Sequence, residues 1–459
     1  MQTSICRHIA ITLSDNVLIH ITRAQNRSHP RLYTTSSSKG VSPPPLTLTP
    51  SKALDSTRAS STLQSADPST SSPPSRDSFR IFSWNIDGLK TFLPSLAPYS
   101  GKFTSAFRGA RASRDALKAN GSPTADLPST PTAKELLGSA STLRAFLSRH
   151  NWPEVLFLQE LKISRRKGPF FLTELLETLN TPLNAADTVF EDRAYTLNAV
   201  LPRDRQNCTA FAGYMYGVAT IIRKDFARKW VATVREVDWD IEGRVSVVEM
   251  RGGPEGQDGD SSSTTKPLAL IAIYGLYGGT RPHLCPETGA VHPIYPTRNH
   301  RLLAFNALLL DECHSLEARG FNVVVAGDMN MARGDVDAYP RLRTDPPFYC
   351  VHRADFNRKF FGEEDNKRAG AWLGPGKQDM EKEKCLDAVD VFRAIYGMEK
   401  RYTFYSQSNV WGTSCNRVDM VIVSKQLWED GRVIDTGILN TPQERGPSDH
   451  VPIWVEIGL

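Results

Sequence analysis

Short apolar runs recur along the chain from Phe79 onward: Phe79 to Ile86, Glu154 to Leu161, Gly217 to Arg223, Arg244 to Met250, Leu268 to Leu276, Asn322 to Asp328, Arg417 to Ser424 and Val451 to Ile457. Each has the length of a buried strand, and together they predict a large β-core. Between them the apolar spacing changes to threes and fours. Thr142 to His150 reads as a short helix. His300 to Arg319 sets Leu302, Leu303, Phe305, Leu309 and Leu316 along one helical face, with Gly320 as its C-terminal stop. Helices among many strands fit a doubly wound sheet or two packed sheets covered by helices. No glycine-rich nucleotide fingerprint follows any run, so Rossmann and P-loop architectures lose support.

Upstream of Phe79 the pattern disappears. From Val41 to Asp77, 22 of 37 residues are Ser, Thr or Pro, too little apolar surface to offset the entropy of ordering, so 41–78 is expected to be a disordered linker. Residues 1–40 carry Arg7, Arg23, Arg27, Arg31 and Lys39 against Asp15 alone. Spaced Arg, abundant Ser/Thr and no continuous apolar core are the composition of a mitochondrial transit peptide, the nucleus being the alternative address. Residues 79–459 are left as one catalytic domain. The 459-residue chain has a net charge of +5, of which the leader supplies 5 − 1 = +4, so bulk charge names no partner. No apolar run approaches the ~18–20 residues needed to span a bilayer. Seven cysteines at 6, 208, 285, 313, 350, 385 and 415 form no disulfide or zinc pattern and read as reduced thiols.

Polar residues at the ends of the runs carry the chemistry. Ser83-Trp84-Asn85-Ile86-Asp87-Gly88 ends the first, Leu158-Gln159-Glu160 the second and Gly327-Asp328-Met329-Asn330 the sixth, while Pro447-Ser448-Asp449-His450 opens the last. One carboxylate at a strand end is ordinarily a turn former or helix cap. Several delivered from equivalent positions are most economically explained by convergence on one sheet edge. Oxygen donors with one His and no Cys suit a hard ion, Mg²⁺ or Mn²⁺, and with it phosphoester hydrolysis.

In this order, Trp84-Asn85-Ile86-Asp87-Gly88-Leu89, Leu158-Gln159-Glu160-Leu161-Lys162, Glu242-Gly243-Arg244-Val245, Gly327-Asp328-Met329-Asn330, Arg417-Val418-Asp419 and Ser448-Asp449-His450 resemble the exonuclease III family of abasic-site endonucleases, within the endonuclease/exonuclease/phosphatase superfamily. The resemblance implies a deoxyribonuclease-like α/β fold, a four-layered α/β sandwich of two packed mixed β-sheets flanked by helices, with the active site at one edge. It further implies a monomer acting on double-stranded DNA that contains abasic sites, cutting 5′ to the lesion, with 3′-end trimming as an accompanying activity and no membrane partner. Residue by residue, it makes Glu160, Asp87, Asn85 and Asp449 the metal set, with Asn85 orienting its neighbours. Asp328 becomes the activator of water, Asn330 its positioner, His450 held by Asp419 the stabiliser of developing charge, and Tyr274 a donor to the scissile phosphate. An Asp-x-Asn pair on an extended segment would face both side chains the same way. Lys162, Arg165 and Arg166 would meet the DNA backbone, and Arg244 would pair with a carboxylate near the site.

The sequence departs from that family at Tyr274-Gly275-Leu276-Tyr277, where Tyr277 occupies the place of an expected Asn and becomes a candidate substrate contact. Around Ser406 to Asn416 only Phe404 and Trp411 offer aromatic surface for enclosing a sugar. Segments 97–140, 165–212, 252–266, 281–298 and 339–384 read as long extra loops able to redirect substrate choice. Competing readings are an RNA nuclease, a lipid or inositol phosphate phosphatase, and a non-catalytic DNA-binding module. The retained set Asp87, Glu160, Asp328, Asn330, Asp419 and His450 argues against the last. The leader composition predicts that residues 1–40 fused to a reporter carry it into mitochondria; a cytosolic or nuclear reporter would overturn that address.

Overall fold

Strand alternation divides the apolar runs between two faces. In Leu268–Tyr274, Leu270 and Ala272 enter one core and Ala269, Ile271 and Ile273 another, as side chains of successive strand residues must. The computed structural model describes residues 78–93, 142–184, 186–207, 213–252, 265–362 and 385–459. The expected leader, the linker up to residue 77 and the segment 97–140 lie outside the described residues.

Twelve strands build two six-stranded sheets. In chain order they are β1 (Ser78–Asn85), β2 (Val155–Gln159), β3 (Tyr195–Val200), β4 (Val218–Arg223), β5 (Val231–Glu236), β6 (Val245–Met250), β7 (Leu268–Tyr274), β8 (Asn322–Asp328), β9 (Val389–Asp390), β10 (Asp419–Val423), β11 (Val433–Ile438) and β12 (Ile453–Gly458). One sheet has the order β11-β12-β1-β2-β4-β3 and the other β9-β10-β8-β7-β6-β5. Both are mixed: β1–β2 and β7–β8 are parallel, and β1–β12 and β8–β10 are antiparallel.

Phe79, Ile81, Val155 and Phe157 of the first sheet share a buried cluster with Leu270, Val324 and Val421 of the second. The outer face of the first sheet packs Trp84, Leu156 and Leu158 with α1 (Leu143–Arg149) and α2 (Gly168–Asn180). The outer face of the second packs Ile271, Val323 and Val325 with α3 (Arg298–Ala318) and α4 (Phe348–Phe361). The result is the expected four-layered sandwich. Burying one such Leu, Ile or Phe contributes about 1.5–3 kcal/mol, so three contiguous apolar interfaces hold both sheets in register. No helix among the described residues is long and apolar enough to cross a membrane.

All eight expected strands are present within a few residues of their predicted ends. Corrections fall on what lies between. Segments read as loops at 165–212 and 339–384 contain α2, β3 and α4. The run opened by Ser448-Asp449-His450 becomes a strand only at Ile453. Asp328 ends β8, and Asn330 turns to φ 51°, so the Asp-x-Asn pair does not lie on an extended segment. Gly327 sits at φ 152° where a Cβ would overlap the carbonyl oxygen of Ile273, so only glycine lets β8 approach β7 immediately before Asp328.

Arg417, fully buried, ties the second sheet to its flanking loops. Its guanidinium donates to Asp337 Oδ1 at 2.7 Å and to both oxygens of Asp390 at 3.1 and 2.7 Å. Arg393 also binds Asp337, and Arg333 binds Asp390. Burial would raise the Asp390 carboxyl, but Arg417 and Arg333 outweigh it and hold it down to about 2. Removing the central cation leaves two buried carboxylates undercompensated, so Arg417→Met should cost about 3–5 kcal/mol of stability. Urea unfolding checks this, and an unchanged midpoint would show the network to be energetically idle.

Candidate active site

The informative strand ends meet at one end of the sandwich, and backbone register brings them there. Asn85 pairs with Gln159 across β1–β2, so Glu160 follows directly beside it. Asp328 pairs with Tyr274 on one side and Asp419 on the other. The loop before β12 carries Ser448, whose hydroxyl donates to the Asn85 carbonyl at 2.6 Å and accepts from the His450 amide at 2.9 Å. The Trp84 indole donates to the His450 carbonyl at 3.0 Å. These two contacts fix the His450 backbone against β1.

Asn85 joins the sheets. Its amide nitrogen donates to Glu160 Oε1 at 3.2 Å and to Asp328 Oδ2 at 3.0 Å, while its oxygen accepts from the Asp87 amide at 3.1 Å. A carboxamide can do both at once, which neither a carboxylate nor an amine can. The Tyr274 hydroxyl donates to the same Glu160 oxygen at 2.5 Å. Arg244 stacks 4.6 Å from the centre of the Tyr274 ring, binds Glu242, and donates to the Tyr274 and Gly275 carbonyls. Asn330 donates its side-chain amide to the Gly275 carbonyl at 2.9 Å and its backbone amide to Asp328 Oδ1 at 2.7 Å.

From the loop before β12, His450 Nδ1 bonds Asp419 Oδ2 at 2.7 Å, and its Nε2 lies 4.0 Å from Asp328 and 3.9 Å from Asp449. Burial alone would lower the imidazole, but Asp419 and Asp328 outweigh it and raise its pKa well above the usual value. For Asp328, burial together with the adjacent Asp419 charge pushes the carboxyl up to about 7. Such a group exchanges protons near neutrality, the requirement for a general base. Burial also raises Asp449.

Lys162 pairs with Asp87 and, at 2.6 Å, with Glu160. Burial opposes its charge, yet these carboxylates raise its pKa; burial would raise Glu160 too, but the ammonium holds it low. A cation is therefore favoured between Asp87 and Glu160. This oxygen-only donor set, with Asp449 close enough to feel both charges, fits a hard divalent ion. Asp328, Asp419 and His450 also offer ligand atoms within 4.8 Å of one another, but His450 Nδ1 is committed to Asp419, and their shared proton suits proton transfer better.

Asp87, Glu160, Lys162 and Asn330 have φ values of 49°, 54°, 46° and 51°. Left-handed backbone is costly for residues with a Cβ, about 1–2 kcal/mol each, and its concentration at four site residues marks a place where geometry is held against local preference. No sequence pattern signalled it.

The other candidates lie outside this cluster. Arg165 and Arg166 are exposed in a turn, with Arg165 donating to the Asp204 carbonyl. Tyr277 is 53% exposed beyond β7. Trp411 stacks on Tyr405 at 3.7 Å and meets the Arg445 guanidinium at 4.9 Å. The sequence reading passed over Ser448 and Trp84 as anchors of His450; Phe404, expected as an aromatic surface, instead meets the imidazole edge-on at 5.3 Å.

The sequence profile of the Endonuclease/Exonuclease/phosphatase family matches residues 82–450. No curated protein sequence matches the chain significantly. Among solved structures, the chain is similar to an AP endonuclease from Leishmania major, at 19% identity over 83% of this chain and 88% of that one, with a TM-score of 0.48. It is also similar to an AP endonuclease from Archaeoglobus fulgidus, at 16% identity over 83% and 100% with a TM-score of 0.45. A 3′ phosphatase from Neisseria bound to product DNA hairpin gives 16%, 83%, 100% and 0.43.

The His450 pair generates a signed prediction. A raised folded pKa contributes stability fully below about 6.5 and loses it as pH climbs through the folded value. Asp419→Asn should therefore lower the His450 pKa in NMR titration, and its destabilisation in urea should shrink as pH rises above neutral. A pH-independent loss would mean that Asp419 does not hold the imidazole proton.

Proposed function

The chain belongs to the endonuclease/exonuclease/phosphatase family, and we propose that within it the protein is a Mg²⁺-dependent DNA phosphodiesterase of the exonuclease III type that cuts 5′ to abasic sites. The observation that carries the reading is the buried His450, 2.7 Å from Asp419 and 4.0 Å from Asp328, beside the Asn85-linked Glu160. It pairs a proton acceptor with a charged donor, as hydrolysis of a phosphodiester requires.

Asp328, with its carboxyl near neutral pKa, takes the proton from the attacking water while the Asn85 and Asn330 amides fix its oxygens. His450, kept protonated by Asp419, faces the phosphate with Nε2 and stabilises the charge that develops on its oxygens. Tyr274, with its hydroxyl pKa raised by burial and by Glu160, stays a neutral donor. Asp87, Glu160 and Asp449 would hold the metal, with Asn85 orienting Glu160. Bound Mg²⁺, or Mn²⁺ in its place, supplies charge neutralisation on the phosphate and the leaving oxygen. Base identity is not read, since every group named addresses phosphate or its charge. The cellular setting we propose is the mitochondrion, on the basic leader at 1–40.

Full-length protein should incise a duplex carrying one stable abasic analogue at that position with Mg²⁺ and not with EDTA, and should leave intact duplex and single-stranded RNA uncut. Asp328→Asn should lose about three orders of magnitude or more in kcat with DNA affinity nearly unchanged. Preferential RNA cleavage would move the protein to another branch of the family, and near-wild-type turnover of Asp328→Asn would remove its role as base.

A further inference from the structure

The loop after β7 leaves the site through Gly275, whose amide donates to the Asp328 carbonyl at 2.6 Å and whose carbonyl accepts from Asn330. Three residues beyond Tyr274 it presents Tyr277 to solvent. Gly278 packs so closely on α4 that a Cβ there would overlap His352, and His352 itself is buried. The loop is thus pinned to the helix lying in the segment read as an insertion. At that junction the Tyr277 and Tyr349 hydroxyls meet at 2.6 Å, and Arg343 donates to both at 2.9 Å. Its guanidinium also lies 5.0 Å from the centre of the Tyr349 ring.

Among the described residues the partners of Arg343 are neutral: two phenols and an aromatic face. Each phenol has its hydroxyl oriented, and Arg343 is exposed. Its charge, unlike those of Arg417 or Arg244, is held in place without being cancelled by a carboxylate. A guanidinium fixed in orientation, solvent-facing and uncompensated has the properties of a phosphate receptor. The exposed Tyr277 ring beside it suits the sugar or base surface flanking that phosphate.

We propose that Arg343, Tyr349 and Tyr277 form a subsite for a backbone phosphate of the nucleic-acid strand next to the cleaved bond. The inference rests on the phosphodiesterase reading above and assigns that site a strand-tracking rim. It explains why the segment 339–362 folds against the loop after β7: the insertion supplies the cation and Tyr349, and the loop supplies Tyr277.

Full-length wild type, Arg343→Met, Arg343→Lys and Arg228→Met would be titrated in EDTA against the abasic-analogue duplex by fluorescence anisotropy across a salt series, with incision in Mg²⁺ followed in parallel. Arg228 is exposed and already pairs with Glu191, so its variant should match wild type. Arg343→Met should lose about tenfold in affinity and flatten the slope of log K against log salt by about one, with KM rising more than kcat falls. Arg343→Lys should restore the slope, since it restores the charge. If wild type incises and Arg343→Met keeps the wild-type slope, the subsite is overturned while the enzyme reading stands. If wild type neither incises nor binds in a salt-dependent way, both fall.

Discussion

Strand register places Asp328 directly opposite Asp419 across the β8–β10 ladder, and this forced proximity of two buried carboxylates is the constraint to which the surrounding site answers. Like charges facing each other on neighbouring strands destabilise a sheet, and inside a protein the repulsion is strengthened by the low dielectric. The pair persists because His450 brings a positive charge to Asp419 from the loop before β12 and Asn85 brings an amide to Asp328 from the other sheet. Both depend on the sandwich being closed. Separating the sheets would remove the Asn85 contact and leave Asp328 with more negative charge than its environment tolerates.

The same electrostatics determine which group does what. Asp419 is bonded to a charged imidazole. Asp328 lacks so close a cation and takes the cost of burial and of its neighbour as a raised proton affinity. Two identical side chains on adjacent strands are thereby given different partners by one histidine. On the other side of Asn85, Lys162 gathers Asp87 and Glu160, and there the negative charge is left available to cations. The carboxamide of Asn85 sits between the two halves and hydrogen-bonds to both, so they share one rigid partition.

How much of this was legible in the sequence follows from what each feature depends on. The eight strands that were read are buried on both faces or nearly so and appear as continuous apolar runs. Those overlooked, β3, β5, β9 and β11, lie at sheet edges, one of them only two residues long, and exposed or half-buried positions break their apolar pattern. Helix α4 escaped because it buries His352, Asn357 and Lys359 along with Phe356 and Phe360, so polarity along it does not track burial. The residues at strand ends were legible because they are distinctive in type and order. Their angles were not: the left-handed turns at Asp87, Glu160, Lys162 and Asn330 are properties of the folded backbone, occupied by residue types that do not announce them.

Substitution at Tyr277 illustrates the difference between a missing residue and a missing interaction. From sequence alone, a tyrosine where a carboxamide is expected removes a short polar group from the edge of the site. In the structure the phenol reaches outward instead, and its hydroxyl is met by Tyr349 and Arg343 from a segment with no distinctive pattern of its own. Long-range packing, through Gly278 against His352, makes that meeting specific. The buried centre is set by strand register, whereas the junction of Tyr277, Tyr349 and Arg343 is assembled by an insertion that meets the centre through the Gly275 backbone and through Arg353, which donates to the Ala332 carbonyl. The center's carboxylates constrain one another through charge, and changing any one alters the others. The junction is held instead by loop packing and by hydrogen bonds between neutral phenols and one guanidinium, and loops of this kind vary more readily than a scaffold whose charges are interdependent.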